Sequence, residues 1–133
     1  NVLKDFSEPY DTKVEDRMGM IAPILHCRTG SVYHRFADMF SERPAERKIH
    51  IDVVSQLAMD SDYKRPESIA MAARGASLER ACGIELFALC LDKSASSEML
   101  TEVYGSGHFF RVEDLENLDR SALQLYRVIR FSS

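Results

Sequence analysis

Lys48-Ile49-His50-Ile51-Asp52-Val53-Val54-Ser55, followed by Gln56-Leu57-Ala58-Met59-Asp60, is the stretch on which the fold turns. Ile49, Ile51 and Val53 alternate with His50, Asp52 and Val54, a two-residue period that predicts a β-strand. The loop from Ser55 onward then lies at the carboxyl end of that strand, the edge where open α/β sheets gather their binding sites. A second stretch, Ile84–Leu91, is apolar except for Glu85, which is how a strand buried on both faces of a parallel sheet reads.

Working outward, helix and strand signals alternate. Thr12 or Asp11 can cap a helix bearing Val14, Met18 and Ile21, and Pro23 ends it. Ser31 can cap a second helix with Val32, Phe36, Met39 and Phe40 on one face, stopped by Pro44. Pro66 opens a third, running to about Ala81 with a weak spot at Gly75. A fourth carries Met99, Leu100, Val103 and Tyr104, and Gly105-Ser106-Gly107 ends it. His108–Val112 reads as a last strand. A closing helix from near Asp119 carries Ala122, Tyr126 and Ile129. Asn1–Phe6 can form a short edge strand. The alternation predicts an α/β fold, a mostly parallel sheet with helices on both faces.

The chain has 133 residues, 45% hydrophobic and 29% charged, which suits one soluble globular domain spanning 1–133. A net charge of −4 supplies no global field for nucleic acid or an anionic membrane. No apolar run is long enough to span a bilayer. Three cysteines, Cys27, Cys82 and Cys90, at no motif spacing, fit reduced thiols and a cytoplasmic location.

Several stretches carry a family resemblance. Lys4-Asp5-Phe6-Ser7-Glu8-Pro9-Tyr10-Asp11 resembles the "KDF-x-EPYD" stretch of von Willebrand factor A domains of the NorD and CbbO group. Leu25-His26-Cys27-Arg28-Thr29-Gly30 is similar to that group's "LSTRMG", and Arg43-Pro44-Ala45-Glu46-Arg47-Lys48 to its "RPARRK". Gly83–Asp92 resembles "GIRVFCLTLD". Glu102–Gly105 and Leu123–Arg127 stand where the group has "IFG" and "LLYLR". The resemblance implies a Rossmann-like von Willebrand factor A fold. It also implies work beside a MoxR-type AAA+ ATPase that helps activate a client, nitric oxide reductase or rubisco.

The departures bear on chemistry. The family's metal-ion-dependent adhesion site draws on a D-x-S-x-S loop, a Thr and the Asp of "TDG". This chain has no D-x-S-x-S; Cys27 stands at the Thr position and Ser55 at the Asp position, with Gln56 in place of the Gly. Mg²⁺ wants hard oxygens and usually a carboxylate, so the site reads as degenerate. Thr29 and Ser31 could supply shifted hydroxyls, and Asp52 or Asp60 a shifted carboxylate. In the family's strand order, 3-2-1-4-5-6, the chain matches strands three to six as Val2–Phe6, Ile49–Val54, Ile84–Leu91 and His108–Val112. It is therefore expected to be incomplete at its N-terminal side, with an open edge that another copy or segment pairs.

Other candidates are weighed against plainer roles. His50 and Asp52, two apart on one strand face, could pair as a base and its orienting carboxylate. Without a nucleophile nearby, a partly open or polar-covered face is the simpler reading. His26 and Cys27 are adjacent, whereas converging Cys–His pairs are usually distant in sequence. The expectation is a non-catalytic interaction module without a cofactor. Its partner surface is His26, Cys27, Thr29, Gln56, Leu57, Met59, Asp60 and Asp62, with Leu57 and Met59 as exposed anchors. The second reading is a Mg²⁺-dependent ligand-binding domain whose ion site is completed by another segment or chain.

Overall fold

The computed structural model describes residues 3–21, 28–58 and 63–131. Among the described residues three strands, β1 (Lys48–Val54), β2 (Ile84–Cys90) and β3 (Phe109–Arg111), form a parallel sheet in the order β1-β2-β3. Lys48 faces Ile84 and Val54 faces Cys90, so β1 and β2 pair in full register. The shorter β3 pairs from Ala88↔Phe109 to Cys90↔Arg111. The α/β, Rossmann-like reading of the sequence holds in this arrangement.

The α-helices described beside the sheet are α1 (Thr12–Gly19), α2 (Thr29–Ser41), α3 (Arg65–Ala81), α4 (Ser97–Tyr104) and α5 (Leu118–Phe131). The pleat of β2 shows the layering, because successive side chains point to opposite faces. Leu86, Ala88 and Cys90 pack with Tyr33 of α2, Ile69, Ala72 and Ala76 of α3, and Leu100, Val103 and Tyr104 of α4. Phe87 and Leu89 pack on the opposite side with Val112 and Leu125, the latter from α5. Helices therefore cover both faces.

Start signals act as their chemistry requires. Asp11 caps α1, its carboxylate accepting from the backbone N–H of Lys13 and Val14 at 3.0 and 3.1 Å. Ser96 caps α4 through the N–H of Met99. Pro66 lies in the first turn of α3, where its missing N–H costs nothing. Gly105 ends α4 with φ +86°, a conformation that glycine adopts freely.

Four expectations need correction. Leu3–Phe6 forms no strand; Asp5 there accepts from the N–H and hydroxyl of Ser7 and from Arg43, which holds a turn. The helix α2 begins at Thr29, before Ser31, and centres its buried face on Gly30, Tyr33, Ala37 and Phe40; of the expected face Phe40 is buried, while Val32, Phe36 and Met39 are half-buried. Gly75 is no weak spot: a Cβ there would lie 2.8 Å from the Gly30 carbonyl oxygen and 2.9 Å from the Tyr33 Cβ. The α2–α3 crossing depends on that missing carbon. In α5 the inward residues are Ser121 and Leu125, while Ala122 and Tyr126 face solvent.

β1 hydrogen-bonds to β2 on one side and, among the described residues, to no strand on the other. On its face away from α2, Ile51 and Val53 are 46% and 57% exposed. This is the open edge expected of the strand.

Candidate functional site

β1 directs His50, Asp52 and Val54 to the side covered by α2, α3 and α4. His50 and Asp52 are neighbours on that face, but they do not pair with each other. Asp52 Oδ2 accepts from the Tyr33 hydroxyl at 2.7 Å and from the Tyr104 hydroxyl at 2.8 Å. The two phenol oxygens are 3.0 Å apart. Each phenol has one proton, and each donates it to the same carboxylate oxygen, a charge-assisted arrangement stronger than a neutral hydrogen bond. Both rings are buried while Asp52 is half-buried. Burial foremost, and then the Asp52 charge, push both phenols far above their usual range. They act as fixed donors rather than bases.

His50 takes a different carboxylate. Its Nδ1 lies 2.8 and 3.1 Å from the two oxygens of Glu79, a fully buried residue of α3. The imidazole also packs edge-on against Tyr33 and at 4.5 Å against Phe36. The pairing fixes which imidazole nitrogen faces α3. Without His50 beside it, Glu79 would be an isolated charge in the core, a costly state.

A cavity of about 210 Å³ opens at this place. Its walls include Thr29, Val32, Tyr33, Phe36, His50, Asp52, Ser55 and Gln56. Ser55 and Gln56 are exposed and Thr29 is half-buried, so two of the expected partner residues, Thr29 and Gln56, meet the expected degenerate metal position Ser55 at one edge. Leu57 does not join them as an exposed anchor. It is fully buried, its side chain in the main core and its N–H donated to Asp92 Oδ2 at 2.8 Å. Ala58 follows in a left-handed conformation, φ +46°, unusual for a residue with a Cβ. His26, Cys27, Met59, Asp60 and Asp62 lie outside the described residues.

Asp92, at the carboxyl end of β2, organises this edge. Besides the Leu57 N–H it accepts from Arg65 at 2.9 Å and from the hydroxyl and N–H of Ser94. Burial alone would push its carboxyl up. The Ser94 hydroxyl, the two backbone N–H donors and Arg65 outweigh burial and hold it below the usual carboxylate range.

Among the described residues, no group of three or more His, Cys, Asp and Glu could hold a metal ion. The hydroxyls of Thr29 and Ser55 and the carboxylate of Asp52 share the cavity, but they fit Mg²⁺ poorly. One carboxylate oxygen already serves two phenols, and much of the wall is apolar.

Tyr33, Glu79, Tyr104 and Asp92 are the residues that sequence reasoning missed. Glu79 left a trace: it continues the row of small buried residues Ala72, Gly75 and Ala76 at helical spacing. A carboxylate on such a row must find a partner inside.

Comparison with known proteins places the chain at a distance from NorD. It is 27% identical over 128 residues to Protein NorD of Brucella suis biovar 1, with 96% of this chain aligned to 20% of that protein. The NorD of Brucella abortus strain 2308 aligns with the same identity and coverage. An uncharacterized protein of Pseudomonas aeruginosa is 28% identical over 130 residues, 97% of this chain and 21% of that one. The chain thus spans about a fifth of the length of the curated relatives it matches. No family model matches it, and no solved structure does.

Proposed function

We propose that this chain is a non-catalytic protein-interaction module of a NorD-like accessory protein. In this reading it engages a MoxR-type AAA+ ATPase in the cytoplasm and helps activate a client enzyme of the nitric oxide reductase or rubisco kind. The observation that carries the proposal is the similarity to NorD over 96% of the chain. The fold is compatible with it: no helix among the described residues is long and apolar enough to cross a membrane. The partner surface is the carboxyl edge of the sheet, where Thr29, Ser55 and Gln56 converge and where open α/β sheets bind. The metal-ion-dependent adhesion site, if inherited, is degenerate at Cys27 and Ser55.

The test is direct binding. The purified chain, immobilised, is presented with a MoxR-type ATPase from the same organism, with ATP and with ADP, in EDTA and again in Mg²⁺. Saturable binding that Gln56→Arg weakens without lowering the melting temperature supports the reading. No binding in any nucleotide state overturns it. ATP supplies no metal-independent route for the ATPase itself, so a preformed complex with a non-hydrolysable nucleotide is used in the EDTA arm. Binding of the chain that appears in the Mg²⁺ arm and is absent from the EDTA arm would instead favour a metal-dependent site.

A further inference from the structure

The cavity beside Asp52 has features that an interaction surface alone does not require. Among the described residues, Asp52 is the carboxylate on its wall, and no lysine or arginine lines it. None of the ion pairs among the described residues involves Asp52. Its Oδ2 is held by two phenols, which orients the carboxylate and leaves the charge without a cationic partner. Glu79 is engaged with His50 and does not line the cavity, which leaves Asp52 as the carboxylate facing it among the described residues.

The rest of the wall narrows the choice of ligand. Phe36 and Val32, both half-buried, offer aromatic and aliphatic surface, backed by the buried rings of Tyr33 and Tyr104. A weakly hydrated organic cation gains from such rings, through cation–π attraction and apolar contact. Mg²⁺ would keep its water and find few hard oxygens. The volume of about 210 Å³ equals roughly seven waters at about 30 Å³ each. That suits the end of one side chain and is below the usual range of cofactor pockets. The cavity lies on β1, whose other edge has no strand against it among the described residues. A polypeptide laid along such an edge pairs its backbone and drops alternate side chains to either face.

We propose that the cavity beside Asp52 receives one basic side chain, a guanidinium or alkylammonium group, from a polypeptide that pairs along the open edge of β1. The proposal does not depend on which ATPase or client the chain serves, so it can fail while the NorD-like reading stands, and the reverse.

Methylguanidinium is the probe, with methylurea as its neutral counterpart of the same shape, and Mg²⁺ as a third titrant. Ring and amide signals of the protein are followed by NMR. Saturable shifts at Tyr33, Phe36, Asp52 and Tyr104 are expected with methylguanidinium and not with methylurea. In Asp52→Asn, whose amide oxygen can still accept from the phenols, affinity should fall about tenfold or more, the loss expected when a partly desolvated charge pair is broken. Folding of that variant is checked by its melting curve. If it does not fold, the comparison of methylguanidinium with methylurea on the unaltered chain decides alone. Equal response to the two probes, an undiminished response in folded Asp52→Asn, or a response at these residues to Mg²⁺ only, would overturn the proposal.

Discussion

Gly30 and Gly75 both lie at the α2–α3 crossing, where a side chain on either would run into the facing helix. A Cβ on Gly30 would lie 2.7 Å from the Met71 carbonyl oxygen, and one on Gly75 would lie 2.8 Å from the Gly30 carbonyl oxygen. Neither obstacle is the flexible end of a side chain. On helix propensity alone, Gly75→Ala should gain about 1 kcal/mol. Overpacking typically costs roughly 1–3 kcal/mol, and here backbone must move. Gly75→Ala should therefore destabilise the chain, by up to about 2 kcal/mol in urea unfolding. Gly19→Ala, with nothing within 4 Å, is the control and should not. A stabilised Gly75→Ala variant would mean the helices cross less closely.

His50 and Glu79 should behave as a unit. Replacing His50 by Leu strands a buried carboxylate, and losses of about 3–5 kcal/mol are usual when one partner of a buried pair is removed. Replacing both, His50→Leu with Glu79→Met, removes the stranded charge. The double variant should be more stable than the single one in denaturant titration. Additive losses would refute the coupling.

The phenols of Tyr33 and Tyr104 predict an alkaline limit. An unfolded tyrosine loses its proton near pH 10, while burial and the Asp52 charge keep these two protonated well beyond that. The folded state thus holds more protons above pH 10. Stability from this source is complete below about pH 10 and falls as pH climbs further, by up to about 2.7 kcal/mol per pH unit for two groups. The measurement is unfolding free energy from pH 9 to 11. Tyr33→Phe with Tyr104→Phe should flatten the slope, even though the variant starts from lower stability.

Asp92 sets a limit at the acid end. Its carboxyl is held below the usual range, so its contribution is present above about pH 4, the ordinary carboxylate value, and is lost as pH falls below that. Asp92→Asn should imitate the acid state at neutral pH. Hydrogen exchange at the Leu57 amide, which donates to Asp92, should speed up in that variant while the β2 amides stay protected. Unchanged exchange at Leu57 would show that the loop is held by its buried side chain alone.

The strands were legible in the sequence because their signal is local. Alternation at Ile49–Val54 and the apolar run at Ile84–Leu91 each state a burial pattern that one residue's neighbours do not alter, and β1 and β2 lie within a residue of those bounds. The faces of the helices were less legible. The inward face of α2 follows the close approach of Gly75 to Gly30, which turns Tyr33 and Ala37 inward and leaves Val32 and Met39 half-buried. The site was legible by half. His50 and Asp52 announced a polar strand face, but their partners sit on helices far along the chain, and no spacing rule ties Tyr104 to Asp52. Leu57 was misjudged because a loop residue was taken to be on the surface, whereas Asp92 draws its backbone inward.

The parallel sheet also has a bearing on how the chain folds. Lys48 must find Ile84, and Ala88 must find Phe109, each across a whole helical segment. Among the described residues no strand pair is closed by a short turn, so each of these ladders waits on the closure of a long loop, and that entropy is lost before any pairing is gained. The contacts of α2, α3 and α4 around Tyr33, Ala72 and Leu100 are what can hold such loops together in the meantime. Substitutions in that helical layer should therefore slow refolding, whereas those at the Phe109–Arg111 end of the sheet should chiefly hasten unfolding.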